Sequence, residues 1–315
     1  MMERKNIYQH IAENNWKIFG LVCLFPIALT GFLYLAFWIF GQLAAERPED
    51  VQYVMANFWQ ITPGILLLCT SLTILSCIAG DKMMLSFAGA RQCPRSGEYL
   101  QVYRAVENVA LAAGLPTPKV YLIEDESLNA FATGFAPKTA SIALTTGIIK
   151  KLEPLELDAV IAHEMAHIKN RDIRLNMYII TGIGIIGMIG EVLVRLCSHS
   201  SSRSRNSKGN GLQGVLIIAG FSLLLFRYFV APFIHMAVSR KQEFQADATG
   251  AYFTRNPEAL ASALKKISVD PRVEALDRSQ QMSAVCICNP LAKVSRLLDS
   301  HPPVEERIKR LHSMM

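Results

Sequence analysis

The sequence predicts a mainly α-helical membrane protein that also carries a small α+β domain. Hydrophobic residues make up 51% of the 315 residues and charged residues only 18%, whereas soluble domains carry about 25% charge. Residues 18–42 contain no charged residue, and strand-like segments occur only within residues 96–170. The net charge of +6 is spread along the chain and argues against a nucleic-acid partner. The seven cysteines lack paired spacing and are interpreted as reduced thiols.

Two N-terminal apolar segments predict a transmembrane hairpin. Residues 18–42 are uncharged and residues 61–80 are apolar, and about 20 such residues are enough to cross a bilayer as a helix. The connector at residues 46–50 is acidic, whereas basic residues follow from Lys82 onward. Because basic residues favour the cytoplasmic side, both ends of the hairpin are expected to face the cytoplasm. Hairpin and connector form the first predicted domain, residues 1–95.

The next predicted domain, residues 96–175, reads as a cytosolic α+β unit. Apolar residues at helical spacing predict a helix that ends near Gly114. Three segments of strand-like composition follow, at residues 119–123, 128–133 and 141–146. Pro154 is suited to the first position of another helix, which is expected to continue to about Asn170.

Two weaker apolar segments, 176–194 and 212–238, predict a second transmembrane hairpin. A Ser/Arg-rich loop joins them, and together they form the third predicted domain, residues 176–238. Glu191 and Arg227 would lie at similar depth in such a hairpin, so an ion pair between them is one hypothesis. Snorkelling of each charge to the interface is the alternative.

The motif that carries chemistry is His163-Glu164-Met165-Ala166-His167. Positions i and i+4 differ by about 40° around a helix, so both imidazoles project from one face and can bind one metal ion. Glu164 is then positioned to act on a bound water. The motif predicts a zincin-like metalloprotease domain with one Zn²⁺ per chain. A catalytic zinc site takes three protein ligands, so a third must come from elsewhere.

The last predicted domain, residues 239–315, offers that third ligand. Glu243 and Asp247 lie four residues apart and share one helix face. One carboxylate can bind zinc while the other orients a ligand histidine; a solvated charged face is the alternative. Both halves of the site must lie on one side of the membrane, so the chain between them crosses it either twice or not at all.

Together these motifs resemble the HtpX-type membrane zinc endopeptidases, which are gluzincins related to the CAAX prenyl proteases. The matching features, in chain order, are the N-terminal hairpin, Asn129-Ala130-Phe131-Ala132-Thr133-Gly134, the His163–His167 helix with Asn170 and Asp172, the second apolar pair, Ser239-Arg240, Glu243-Phe244-Gln245-Ala246-Asp247 and His301-Pro302-Pro303. The resemblance implies that His163, His167 and Glu243 bind zinc. It also implies that Glu164 is the general base and that Asp247 supports a ligand histidine.

Each of four further features has a predicted functional role and an alternative interpretation. Asn129-Ala130-Phe131 resembles the edge strand on which gluzincins hold substrate backbone, and is otherwise an ordinary strand. His301 is expected to donate to the scissile carbonyl oxygen, or is a surface or capping histidine. Arg240 holds a carboxylate of the substrate or of the protein, or anchors the chain at the interface. Asp172 supports a zinc ligand as a hydrogen-bond partner, or is simply a helix-end residue.

The resemblance implies a multi-pass zinc endopeptidase of the bacterial inner membrane whose active site faces the cytoplasm. It implies polypeptide substrates, namely misfolded or damaged membrane proteins, and roles in quality control and the stress response alongside further quality-control partners. A CAAX prenyl protein endopeptidase is the first alternative, although those relatives have more spans than the four offered here. A transporter would leave the zinc motif unexplained, and a zinc-binding scaffold would have no use for Glu164.

Overall fold

The computed structural model describes residues 7–44, 48–200, 217–229, 240–268 and 302–314. Two compact units are distinguished. Unit 1 takes its described residues from Met1–Trp16, Cys77–Ile180 and Ile234–Met315, and unit 2 takes them from Lys17–Ser76 and Thr181–Phe233. The division into four domains at residues 95, 175 and 238 stays a prediction.

The protein is mainly helical, as the sequence predicts. The α-helices of the described residues are α1 (Ile7–Ala44), α2 (Pro48–Phe87), α3 (Leu100–Ala113), α4 (Thr146–Lys151), α5 (Pro154–Asn170), α6 (Asp172–Ser200), α7 (Ile217–Phe229), α8 (Arg240–Thr254), α9 (Pro257–Ile267) and α10 (Val304–His312). The predicted helix from Pro154 to Asn170 is confirmed at both ends. Gly114 ends α3 in the left-handed conformation, which glycine adopts at little cost.

Unit 1 contains a four-stranded mixed sheet. Its strands are β1 (Arg91–Gln92), β2 (Lys119–Ile123), β3 (Ala130–Thr133) and β4 (Ser141–Thr145), in the order β1-β2-β4-β3. The central pair β2–β4 is parallel, and the outer pairs are antiparallel. The predicted strands are confirmed, and β3, which starts at Ala130, is shorter than its predicted segment. Because β3 pairs only with β4 among the described strands, it forms an edge of the sheet.

Helix α5 is the central element of unit 1. It contacts α3, α8, α9 and β3, and Val160, Ile161 and Met165 are completely buried. A helix surrounded by other elements buries apolar residues on several faces rather than along one stripe. Burial of each such side chain contributes about 1.5–3 kcal/mol. The helix that carries the zinc motif is therefore held from several sides.

In unit 2, α7 packs against α6. Gly190 and Gly220 lie at this contact, where a Cβ built on Gly220 would come within 3.1 Å of the Gly190 carbonyl oxygen. Small residues of this kind allow helix backbones to approach closely. Glu191 Oε1 lies 3.5 Å from Arg227 Nη1, which confirms the hypothesised ion pair. The guanidinium occupies the space that a side chain at Gly187 would need.

One helix in the described part of the chain, Asp172–Arg195 within α6, is long and apolar enough to cross a membrane on length and composition alone. Two further apolar helices, Pro26–Leu35 and Ile217–Phe229, are shorter. The four predicted spans are therefore not confirmed as a set. The predicted segment 212–238 is described only over residues 217–229.

The buried carboxylate of Glu156 joins the start of α5 to α9. It accepts hydrogen bonds from the Glu153 N–H at 2.9 Å, from Ser262 Oγ at 2.7 Å and from Lys266 Nζ at 2.7 Å. Burial raises the pKa of Glu156, but these hydrogen bonds outweigh it and lower that pKa below its ordinary value.

We expect Glu156→Gln to lower the free energy of unfolding by about 1 kcal/mol near neutral pH, since a charge-assisted bond to the half-exposed Lys266 is lost. Because the folded-state pKa is lowered, the contribution of Glu156 is present above its unfolded pKa and is lost as pH falls through the folded pKa. Thermal unfolding in detergent from pH 7 down to pH 4 should show the difference from wild type shrinking. Glu107→Gln, at an exposed position of α3, is the matched control; an equal effect there would contradict the assignment.

Candidate active site

Helices α5 and α8 bring together the three predicted zinc ligands. His163 and His167 lie one turn apart on α5, and Glu243 reaches them from the first turn of α8. One ligand atom from each residue lies within 4.8 Å of the other two. The two Nε2 atoms are 3.2 Å apart, and the Glu243 carboxylate oxygens lie 3.7 Å from His163 Nε2 and 3.6 Å from His167 Nε2.

This donor set fits a zinc ion. Zinc binds histidine nitrogen and carboxylate oxygen at about 2.0–2.2 Å, so a tetrahedral centre separates its ligand atoms by about 3.3–3.5 Å. The observed separations of 3.2, 3.6 and 3.7 Å bracket that value. Three protein donors also leave one tetrahedral position for water, as catalytic zinc sites require.

A second carboxylate faces each histidine on the side away from the cluster. Asp247 Oδ1 lies 3.0 Å from His163 Nδ1, and Asp172 Oδ2 lies 3.0 Å from His167 Nδ1. When each Nδ1–H donates to its carboxylate, each Nε2 lone pair is left for the metal. The structure thus brings Asp247 and Asp172 to the places where orienting carboxylates are needed.

A left-handed residue between α5 and α6 lets Asp172 reach His167. Arg171 has φ 61° and ψ 22°, a conformation that is uncommon for residues other than glycine. It ends α5, and Asp172 begins α6 only five residues after His167. Arg171 thus separates the two helices, and Asp172 Oδ2 lies 3.0 Å from His167 Nδ1.

Arg307 on α10 is a buried member of this site that the sequence motifs do not predict. Its side chain is fully buried and binds Asp247 through Nε at 2.9 Å and Nη2 at 2.7 Å. Its Nη1 lies 3.4 Å from Glu243 Oε2. The sequence does contain one indication that Arg307 is buried. It shares the apolar face of α10 with Val304 and Leu311, where a charged residue is unexpected.

The buried charges change the proton affinities of the site. Burial lowers the pKa of His167, but its hydrogen bond to Asp172 and the nearby carboxylates outweigh this and raise that pKa to about 9. Burial raises the pKa of Asp247, but Arg307 outweighs it and holds that pKa below its ordinary value. Burial raises the pKa of Glu164 above its ordinary value, towards the range in which a carboxylate acts well as a general base.

Strand β3 runs beside Glu164. In the antiparallel pair with β4, the Thr145 N–H donates to the Asn129 carbonyl oxygen and the Asn129 N–H donates to Thr145 Oγ1. In this register the alternate residues Ala130 and Ala132 direct their backbone groups away from β4. The Ala132 N–H donates to the Glu164 carboxylate and lowers its pKa. The Asn129 side chain accepts from the Ala130 N–H at 2.9 Å, and Phe131 is buried in the core.

The roles predicted for Arg240 and His301 stay predictions. Arg240 lies exposed at the start of α8, and its role in binding a carboxylate stays a prediction. His301 lies outside the described residues. Two buried polar residues near the cluster, Asn14 of α1 and Gln242 of α8, belong to no motif in the sequence.

The site combines a His/His/Glu donor set with a second glutamate, Glu164, which lies between the two histidines on α5. This combination defines a metallopeptidase. Residues 97–315 match peptidase family M48, and the chain belongs to this family of hydrolases.

Two relatives agree with this assignment over almost the full chain. A "Protease HtpX homolog" from Thermoanaerobacter pseudethanolicus is 37% identical and covers 99% of each chain. One from Bacteroides fragilis is 36% identical and covers 98% of each chain. A structural comparison with the crystal structure of S. mikatae Ste24p gives a TM-score of 0.46 and 20% sequence identity. The match covers 94% of this chain and 66% of that chain. The predicted resemblance to HtpX-type proteases is confirmed.

Gly250 determines how closely α8 approaches α5. A Cβ at this position would lie 2.9 Å from the His163 nitrogen and 3.1 Å from the His163 Cα. Alanine in place of a helical glycine ordinarily stabilises by about 0.5–1 kcal/mol. We expect Gly250→Ala to destabilise instead, by about 1–3 kcal/mol, and to weaken metal binding because Glu243 moves with α8. Thermal unfolding and zinc per purified chain test this, with Thr249→Ala as the control. Unchanged or raised stability would contradict the prediction.

Proposed function

We propose that the protein is an integral membrane zinc endopeptidase that cleaves cytosol-accessible segments of other polypeptides. The convergence of His163, His167 and Glu243 beside Glu164 carries the proposal. Their separations suit one zinc ion, and the neighbouring strand edge suits an extended peptide. Zinc is the cofactor proposed, at one ion per chain.

The proposed reaction is hydrolysis of a peptide bond. His163, His167 and Glu243 would hold the zinc ion, which when bound polarises the attacking water and the scissile carbonyl. Glu164 accepts the proton that the water loses and returns it to the leaving amine, so its raised pKa assists both transfers. Asp172 and Asp247 keep the imidazoles oriented throughout. His301 remains the proposed donor to the carbonyl oxygen.

The position of β3 at the edge of the sheet supports the proposal that the protein recognises peptide backbone rather than particular side chains. Ala130 and Ala132 direct backbone groups away from β4. The Ala132 N–H donates to Glu164, so the proposed base lies beside this edge of the strand. A peptide that adds to the edge as a further strand would place its own backbone beside the base. Weak sequence preference follows, because backbone hydrogen bonds are common to all peptides.

Unit 2 supports a location in the membrane. Its helices expose many large apolar side chains, for example Leu24, which is 64% exposed, and Leu67, which is 69% exposed. The other exposed ones include Phe19, Ile27, Leu35, Trp38, Ile39, Leu68, Ile74, Leu75, Val192, Leu225 and Phe229. Such a surface would be costly in water and is suited to lipid. We propose a multi-pass protein of the bacterial inner membrane with the metal centre on the cytoplasmic side.

The proposed substrates are misfolded or damaged membrane proteins, in quality control and the stress response. This part rests on the similarity to HtpX-type proteases and on the combination of a membrane anchor with backbone-directed recognition. Unfolded segments close to the bilayer are extended and expose their backbone, as strand addition requires.

Cleavage of casein by the purified, detergent-solubilised protein tests the proposed function. Glu164→Gln should retain zinc and lose proteolysis by about 10²–10⁴-fold, because only the base is removed. Glu243→Ala should lose both zinc and proteolysis, whereas Glu305→Ala, at an exposed position of α10, should change neither. Wild-type turnover in Glu164→Gln, or full zinc content in Glu243→Ala, would overturn the assigned roles. Preference for prenylated over unmodified peptides would instead support a CAAX endopeptidase.

The proposed topology places the loop between α6 and α7 outside the cytoplasm. Cysteine introduced at Ser202, in a variant without native thiols, should react with a membrane-impermeant maleimide added to intact spheroplasts. The reason is that α6 and α7 are proposed to cross as a hairpin, although Arg195 near the end of α6 and the basic residues of the loop oppose the usual charge bias. Labelling only after lysis would remove the four-span architecture and leave the zinc assignment intact.

A further inference from the structure

Helix α1 carries a buried polar side chain, Asn14, that no step of the proposed reaction uses. It is 3% exposed. Its Nδ2 donates to Asp172 Oδ1 at 2.7 Å and to the Asn170 backbone oxygen at 3.2 Å, while Gln242 Nε2 donates to its Oδ1 at 3.1 Å. Asn14 and Asp172 are 158 positions apart in the sequence. One amide therefore connects three distant segments of unit 1.

The orientation of the amide follows from its partners. Asp172 and the Asn170 carbonyl are acceptors, so only the NH₂ group can face them, and the amide oxygen is left for the Gln242 donor. The reversed orientation would set oxygen against oxygen. Both amide hydrogens are used, which offsets the cost of burying a polar group.

Asp172 transmits this contact to the metal centre. Its Oδ1 accepts from Asn14, and its Oδ2 faces His167 Nδ1 at 3.0 Å. A carboxylate held at one oxygen has a defined plane, so its second oxygen keeps a constant direction to the imidazole. Partners of this kind fix the ring orientation of a metal-ligating histidine.

The third partner of Asn14 lies next to a zinc ligand. Gln242 precedes Glu243 in the first turn of α8, and both are buried. Asn14 thus joins the α5–α6 junction, which orients His167, to the turn of α8 that supplies Glu243. An apolar residue of similar volume would fill the same space without making either connection.

We propose that Asn14 is a positioning residue of the metal centre, holding Asp172 against His167 and bracing α8 through Gln242. The metal centre of unit 1 is then complete only when this turn of the N-terminal helix is in place. The inference rests on the proposed zinc peptidase function and extends it to a residue far from the zinc motif in sequence.

The test compares Asn14→Leu with the matched control Asn15→Leu, which lies one position later and is exposed. We expect Asn14→Leu to raise the zinc dissociation constant by about 10–100-fold, as loss of such a partner typically does. Zinc release to a chromogenic chelator measures this. The visible absorption of the Co²⁺-substituted protein should shift, since His167 is reoriented, and kcat for casein should fall more than KM rises. Asn15→Leu should match wild type in every measurement.

A double-mutant cycle with Asp172→Asn shows whether Asn14 acts through Asp172. If it does, the double variant should lose clearly less zinc affinity than the sum of the two single losses, and any loss beyond that of Asp172→Asn alone is the part that acts through Gln242. Fully additive losses, or wild-type zinc retention and an unshifted Co²⁺ spectrum in Asn14→Leu, would overturn the proposal. Should Asn14→Leu show no cooperative unfolding transition, the smaller Asn14→Ala replaces it with the same expectations. Wild-type protein that neither binds zinc nor cleaves casein would instead refute the proposed function.

Discussion

The structure depends on a concentration of negative charge in the interior of unit 1. Glu164, Asp172, Glu243 and Asp247 are all almost fully buried, and Arg307 is the buried cation beside them. Removal of a carboxylate from water costs several kcal/mol unless it is compensated. With these four carboxylates ionised and both imidazoles neutral, as binding of a metal requires of its histidine ligands, Arg307 leaves three negative charges, and a divalent cation at the centre would offset two of them. The same charges that would destabilise an empty core therefore favour binding of a metal dication.

The surrounding fold is arranged so that this charge stays in place. Helix α5 is buried among helices and β3, which leaves His163 and His167 little freedom to move. The close approach at Gly250 sets the distance to α8 and hence to Glu243. Arg307 on α10 binds Asp247, so α10 contributes to the orientation of His163. Each ligand is thus held by an element other than its own.

The ends of the described chain meet at this centre. Asn14 on α1 contacts Asp172, and Arg307 on α10 contacts Asp247. The two orienting carboxylates are therefore held from opposite ends of the sequence, one for each histidine. In the second unit, Arg227 and Glu191 pair between α6 and α7, and both side chains are partly exposed. Charge is thus matched to a specific partner in both units.

The sequence by itself determined the features that depend on local periodicity and composition. The i, i+4 spacing of His163 and His167 requires one helix face, and Pro154 determines where that helix begins. Only the tertiary structure decided which distant side chains complete the site. His163 and Arg307 are 144 positions apart, and Asn14 and Asp172 are 158 apart. The apolar face of α10 indicates that Arg307 is buried, but no local pattern shows which distant residues it contacts, because such contacts arise from packing of whole elements.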